Sequence, residues 1–175
     1  LYFPDPWQKA RHYNLHESGV EAIEVVQHLS FTLGNAVKYI WRGRNKGAYE
    51  QDVKKALYYL DREIDIDFVN ALLPNPAIFQ HIVTLTERFC ASEEDKLVAD
   101  AIQCMVLASE SSGRARALNL ELARGCLGEM LGLVTCDECK GYRDYRIHPT
   151  FTAYDGNGAV VPCRACDGAG WAKTA

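Results

Sequence analysis

The chain has 175 residues, 48% of them apolar and 24% charged, with a formal net charge of −4. That is enough for one core of ordinary size and a small satellite, and no window approaches the roughly 18 uninterrupted apolar residues that a membrane span needs. The acidic balance excludes wholesale coating of nucleic acid by charge, although not a local basic patch.

No basic stretch leading into an apolar run marks a secretory signal, and the opening Leu1-Tyr2-Phe3 fits the remnant of a protease-site tag. Val20 to Leu29 then reads as a short helix behind Ser18-Gly19, and Ser30 fits an N-cap for a helix from about Phe31 to Gly43. Gly43-Arg44-Asn45-Lys46-Gly47 is a basic loop rich in breakers. Val53, Ala56, Leu57, Leu60 and Ile64 recur at helical spacing between about Glu50 and Val69, and Pro74-Asn75-Pro76 then breaks the chain.

Three further helices are expected. The first runs over Ile78–Cys90; Ser92 caps the second, with Glu93, Glu94 and Asp95 in a first turn where the helix dipole favours carboxylates; the third spans Arg114–Leu131 and ends near Gly132. From Thr135 the texture changes: Tyr145, Ile147, Phe151, Thr152 and Tyr154 favour strands, Asp155-Gly156-Asn157-Gly158 supplies a hairpin turn, and Ala159-Val160-Val161 returns. The expected fold is mainly α, a helical bundle with a small C-terminal β-hairpin zinc module. Its parts are residues 1–73, additional helices over 74–132 that pack on them or form an oligomer interface, and the module over 133–175.

The seven cysteines fall into two groups. Cys90, Cys104 and Cys126 sit singly in apolar helical patterns, as small buried thiols do. Cys136-Asp-Glu-Cys139-Lys-Gly141 and Cys163-Arg-Ala-Cys166-Asp-Gly168 are two copies of one knuckle, C-x-x-C-x-G. The two-residue spacer lets two thiolates reach one metal, and the glycine relieves crowding where the backbone turns around sulfur. Four sulfurs make a closed tetrahedral shell, so Cys136, Cys139, Cys163 and Cys166 are expected to hold one structural zinc. Paired thiols of this kind imply a reducing, cytoplasmic setting. The knuckles resemble the C-x-x-C-x-G-x-G repeats of DnaJ-type chaperones, the first departing at the last glycine; the likeness covers only the C-terminal fifth.

The helix from Phe31 carries Leu33, Ala36, Val37, Ile40 and Trp41 on one face and Asn35, Lys38, Tyr39 and Arg42 on the other. On the next helix Asp52, Lys55, Tyr59 and Arg62 share a flank. An antiparallel pair with the loop of Arg44 and Lys46 between its helices would form a groove with cations for phosphate and tyrosine rings for stacking. On spacing alone, two solvated polar faces explain the pattern better, since charged residues must face water somewhere.

His12-Tyr13, Gly19-x-Glu21-Ala-Ile23-Glu24-Val25-Val26, Gly34-Asn35-Ala36-Val37-Lys38-Tyr39-Ile40-Trp41-Arg42 and Asp52-x-Lys54-Lys55-Ala56-x-Tyr58-Tyr59-Leu60 are similar to a family of small phage proteins described as non-P-loop nucleotide kinases. The likeness spans about residues 11–63. It implies a phage-encoded protein of the host cytoplasm that phosphorylates nucleoside monophosphates. Carried onto matched positions, Lys38 and Arg42 become the catalytic candidates; His12, Tyr13, Asn35, Tyr39, Arg44, Lys55, Tyr59 and Arg62 become the nucleotide-binding ones, with Mg²⁺ accompanying the nucleotide. No G-x-x-x-x-G-K-[ST] cradle is present.

Two rivals stand beside it. An all-α nucleotide pyrophosphatase of the MazG type would use Glu21-Ala-Ile-Glu24 as half of its Mg²⁺ site, but the second half reads Asp52-Val-Lys-Lys55, with a lysine where a ligand oxygen is needed. A non-catalytic protein would sequester a nucleotide signal or bind nucleic acid through the module, whose Tyr142, Arg143, Tyr145, Arg146 and His148 suit stacking on single strands. The apolar middle helices also imply a homo-oligomer.

Overall fold

Side chains that answer the open N–H groups of a first turn mark where three of the described helices begin. The computed structural model describes residues 16–42, 47–65, 75–136, 166 and 169–172. Among them six helices follow one another: α1 (Ala22–Val26), α2 (Phe31–Trp41), α3 (Tyr49–Asp65), α4 (Pro76–Ser92), α5 (Lys96–Glu110) and α6 (Gly113–Met130). Ser30 caps α2 as its position predicts, its Oγ accepting from the Leu33 N–H at 3.2 Å. Asn75 does the same for α4, accepting from the Ala77 N–H at 2.9 Å, and Pro76 takes the first helical position, where a missing N–H leaves nothing unsatisfied.

One start differs from expectation. Ser92 closes α4 instead of opening α5, and its Oγ donates to the carbonyls of Arg88 and Phe89. Asp95 is the cap, its Oδ1 accepting from the Leu97 N–H at 3.0 Å. Asp and Ser are near-equal caps, so α4 is free to run one more half-turn. At the far end of α6, Gly132 adopts φ +69°, which a side chain resists, and the Leu133 N–H folds back onto the Gly128 carbonyl at 2.9 Å.

The helices pack in the pairs α1/α2, α2/α3, α4/α5, α5/α6, α3/α6, α2/α5 and α1/α4. They enclose one core that draws on all six, including Val25, Leu33, Val53, Phe89, Met105 and Leu127. Each such aliphatic or aromatic side chain contributes about 1.5–3 kcal/mol on burial. Trp41 lies on the apolar stripe as expected and packs against Phe89, ring centroids 3.9 Å apart.

Charge is buried as well. Glu63 of α3 accepts from Arg116 of α6 and from the hydroxyls of Ser30 and Thr32, while Arg116 also donates to the Ala108 carbonyl at 2.5 Å. Burial pulls the Arg116 guanidinium down and the Glu63 charge opposes that.

The mainly helical expectation therefore holds for the described residues, and no described helix is long and apolar enough to cross a membrane. The predicted hairpin, from Tyr145 to Val161, lies outside them. What is described of the C-terminal segment is an antiparallel bridge between Thr135 and Trp171.

Candidate functional site

The packing of α2 against α3 turns the two predicted polar faces toward each other. Tyr39 stacks on Tyr59 with centroids 5.8 Å apart and planes 16° from parallel. Around the Tyr39 ring stand three cations: the Arg42 guanidinium at 4.6 Å from the centroid, the Lys38 ammonium at 4.9 Å and the Lys55 ammonium at 5.3 Å. Six of the candidates, Asn35, Lys38, Tyr39, Arg42, Lys55 and Tyr59, thus meet in one cluster. The face of an aromatic ring attracts cations, which explains why three gather at one tyrosine.

Two residues are turned differently from the sequence expectation. Asp52 belongs to the polar flank by spacing, yet it is 1% exposed. It accepts from Arg42 Nε at 3.1 Å and Nη2 at 3.3 Å, and Lys55 approaches it at 3.6 Å. Arg42 is buried with it, so its charge faces the interior pair more than solvent. A paired carboxylate can be tolerated in a low-dielectric place where a lone one cannot; spacing alone does not show that pairing. Arg62 stands over Tyr58 at 5.9 Å, on the exposed side of α3 and away from Tyr39.

Asn35 is occupied within its own helix. Its Nδ2 donates to the Phe31 carbonyl at 2.7 Å and its Oδ1 accepts from Lys38 Nζ at 2.6 Å, so it orients the lysine. The ammonium of Lys38 is held below the ordinary lysine range, first by burial and then by the charge of Arg42. Set against Asp52, the three cations leave two positive charges among the described residues. Outside the cluster, Phe31 and Tyr58 extend the aromatic surface, each edge-on to Tyr59 at 6.1 and 5.4 Å, and they are 77% and 58% exposed.

An open depression of about 400 Å³ lies at the start of α3, lined by Gly47, Ala48, Tyr49, Glu50, Gln51 and Lys54. It excludes the cluster, and Lys54 there is answered by Glu50 at 2.5 Å. The cation–tyrosine cluster, where three cations meet one carboxylate among the described residues, is the stronger candidate. His12, Tyr13 and Arg44 lie outside the described residues.

The carboxylates of the pyrophosphatase reading have other partners. Glu24 accepts from the Glu21 N–H at 2.8 Å, closing the first turn of α1 as a capping box does, and Asp52 is neutralised by Arg42 and Lys55.

Of the four knuckle cysteines, Cys136 and Cys166 are described, and they pack together as a small buried cluster. The Gly170 N–H donates to the Cys166 sulfur at 3.2 Å, the kind of outer hydrogen bond that supports a metal-bound thiolate. Two buried cysteines packed together suit a soft-ligand metal; Cys139 and Cys163 lie outside the described residues, among which no group of three or more candidate ligands occurs. Sequence reasoning missed Asp61, Arg124 and Trp171. Arg124 of α6 donates from Nε to Asp61 at 2.8 Å and from Nη2 to the Ala169 carbonyl, and its guanidinium lies 4.4 Å from the Trp171 ring centre. A lone tryptophan beyond the second knuckle was the available signal, and it names no partner.

A family model described as a protein of unknown function, DUF3310, matches residues 7–61. This corrects the kinase resemblance: the family that fits the same stretch carries no assigned activity, so no kinase assignment attaches to it. The match does not reach the cysteine segment, and the DnaJ-type likeness there is set aside with it. No curated protein matches the chain, and no solved structure does. What the comparisons establish is a likeness to DUF3310 over the stretch that carries α1, α2 and most of α3.

Proposed function

We propose that the α2–α3 surface binds a nucleoside phosphate. The observation that carries this reading is the gathering of Lys38, Arg42 and Lys55 around one tyrosine, with Asp52 the carboxylate that meets them among the described residues. Several cations drawn together at one place, partly withdrawn from water, favour an anion. Lys38 and Lys55 are the accessible phosphate ligands; Arg42, braced by Asp52, fixes the positive end of the site. Tyr59, Tyr58 and Phe31 offer ring surface for a base. Binding, not turnover, is the function proposed, and Asn35 serves it by orienting Lys38.

The test is a thermal-shift panel of mono-, di-, tri- and cyclic nucleotides, since a ligand of the native state raises the melting temperature by mass action. At least one nucleotide should stabilise the protein. Replacing Lys38 or Lys55 with Ala should each remove about 1.5–3 kcal/mol, a ten- to hundredfold loss of affinity. No shift across the panel, or a Lys38→Ala, Lys55→Ala protein that binds as well as wild type, sinks the reading. A response only to single-stranded oligonucleotides, collapsing steeply with salt, would transfer the surface to nucleic-acid binding.

The four knuckle cysteines are proposed to hold one zinc of structural type, which suits a reducing cytoplasm. Its support is the spacing of the knuckles together with the buried contact of Cys136 and Cys166. Elemental analysis of the purified protein should return one zinc per chain, lost on replacing Cys136 or Cys166 with Ser; metal-free protein overturns it.

A further inference from the structure

Arg124 sits at a junction that neither the cation–tyrosine cluster nor the cysteines require. It is 2% exposed, yet its partners come from two remote stretches: Asp61 of α3 on one side, Ala169 and Trp171 of the cysteine segment on the other. The Trp171 ring fills the space above Gly128. A Cβ on that glycine would lie 2.0 Å from Cη2 and 2.5 Å from Cζ3 of the indole. Trp171 is held by backbone bonds on either side, Cys136 N–H to the Gly170 carbonyl at 3.0 Å and Ala172 N–H to the Val134 carbonyl at 2.7 Å. Gly170 in turn donates to the sulfur of Cys166. A continuous chain of contacts therefore runs from the knuckle sulfurs through Trp171 and Arg124 to Asp61, one turn along α3 from Tyr58.

We infer that the cysteine segment is a metal-dependent brace on α3 and α6, attached where Trp171 covers Gly128 and stacks under Arg124. The inference rests on the zinc reading above. A metal joining Cys136 to Cys166 holds residues 135 and 171 in register; without it the bridge loses its cross-link, and Arg124 loses its partners at Ala169 and Trp171 while staying deep in the protein. Metal binding then contributes to the stability of the helices, and by reciprocity the helices contribute to holding the metal.

Gly128→Ala isolates the contact, because it leaves every cysteine and every residue of α3 unchanged. In a helix interior alanine is favoured over glycine, so with the zinc stripped the variant should melt at or above wild type. With zinc bound, the added methyl drives out the indole, and the variant should melt below wild type, by about 3 °C. The substitution thus reverses its effect with metal occupancy, which a plain packing defect does not do. The variant should also hold zinc about tenfold more weakly in competition with a chromogenic chelator, within the usual range of coupling between sites.

The experiment uses the full chain, measuring zinc content, melting temperature before and after chelation, and zinc affinity by chelator competition. A shift of the same sign in both states, or a wild-type melting temperature indifferent to stripping, overturns the brace. If wild-type protein carries no zinc, the metal content alone shows that the zinc reading has failed and the brace with it. Should Gly128→Ala not fold, Trp171→Ala replaces it: destabilisation confined to the loaded state supports the brace, and equal destabilisation in both states rejects it.

Discussion

Lys38 bears a cost in the free protein that an anion would relieve. Burial and the charge of Arg42 both work against its ammonium, and groups held at such a disadvantage gather at binding sites more than elsewhere. Its folded pKa lies below the unfolded one, so in the window between them the unfolded chain binds more protons and stability rises with pH. At neutral pH the full penalty is present. Lys38→Met should therefore raise the melting temperature of the ligand-free protein at pH 7, and that gain should shrink as pH climbs toward the ordinary lysine value of 10.5. Melting curves at the two pH values check it; a lower melting temperature at pH 7 contradicts it. The three single cysteines lie at the opposite pole. Burial first, and neighbouring charges second, push Cys90 and Cys126 up to about 11, and Cys104 in the same direction, so they remain protonated, packed thiols at neutral pH.

At the scale of elements, α3 does two jobs. One flank presents Lys55 and Tyr59 to α2, while Glu63 faces Arg116 of α6. Removing one partner of a buried pair strands the other, so Glu63→Ala should destabilise the protein by about 3–5 kcal/mol, and Ser30 and Thr32 lose an acceptor with it. Chemical denaturation measures this, and a change below 1 kcal/mol would show that water reaches Arg116. The cluster at Tyr39 was legible because it follows helical period: Asn35, Lys38, Tyr39 and Arg42 recur on one face, and Lys55 and Tyr59 on another. The burial of Asp52 and Glu63 was not. A hydrophobic-stripe argument sends every charge to solvent, whereas each of these carboxylates is placed by an arginine outside its own helix, Arg42 at the end of α2 and Arg116 on α6. The register of α5 was missed for a local reason, a run from Ser92 to Asp95 offering two competent caps.

At the scale of the molecule, the helical class could be read from periodicity, while the contact of Trp171 with Gly128 and Arg124 could not. It joins residues more than forty positions apart, obeys no period, and depends on a glycine whose value lies in what it leaves vacant. The pairing of Thr135 with Trp171 has one more result. Among the described residues, it sets the point where the chain leaves the helices beside the point where it returns, so the two ends of the intervening sequence lie side by side. Doubling the length of a flexible connection between two fixed ends adds only about 0.6 kcal/mol of closure entropy. With its ends fixed side by side at Thr135 and Trp171, a longer intervening sequence therefore adds little closure cost at the bridge.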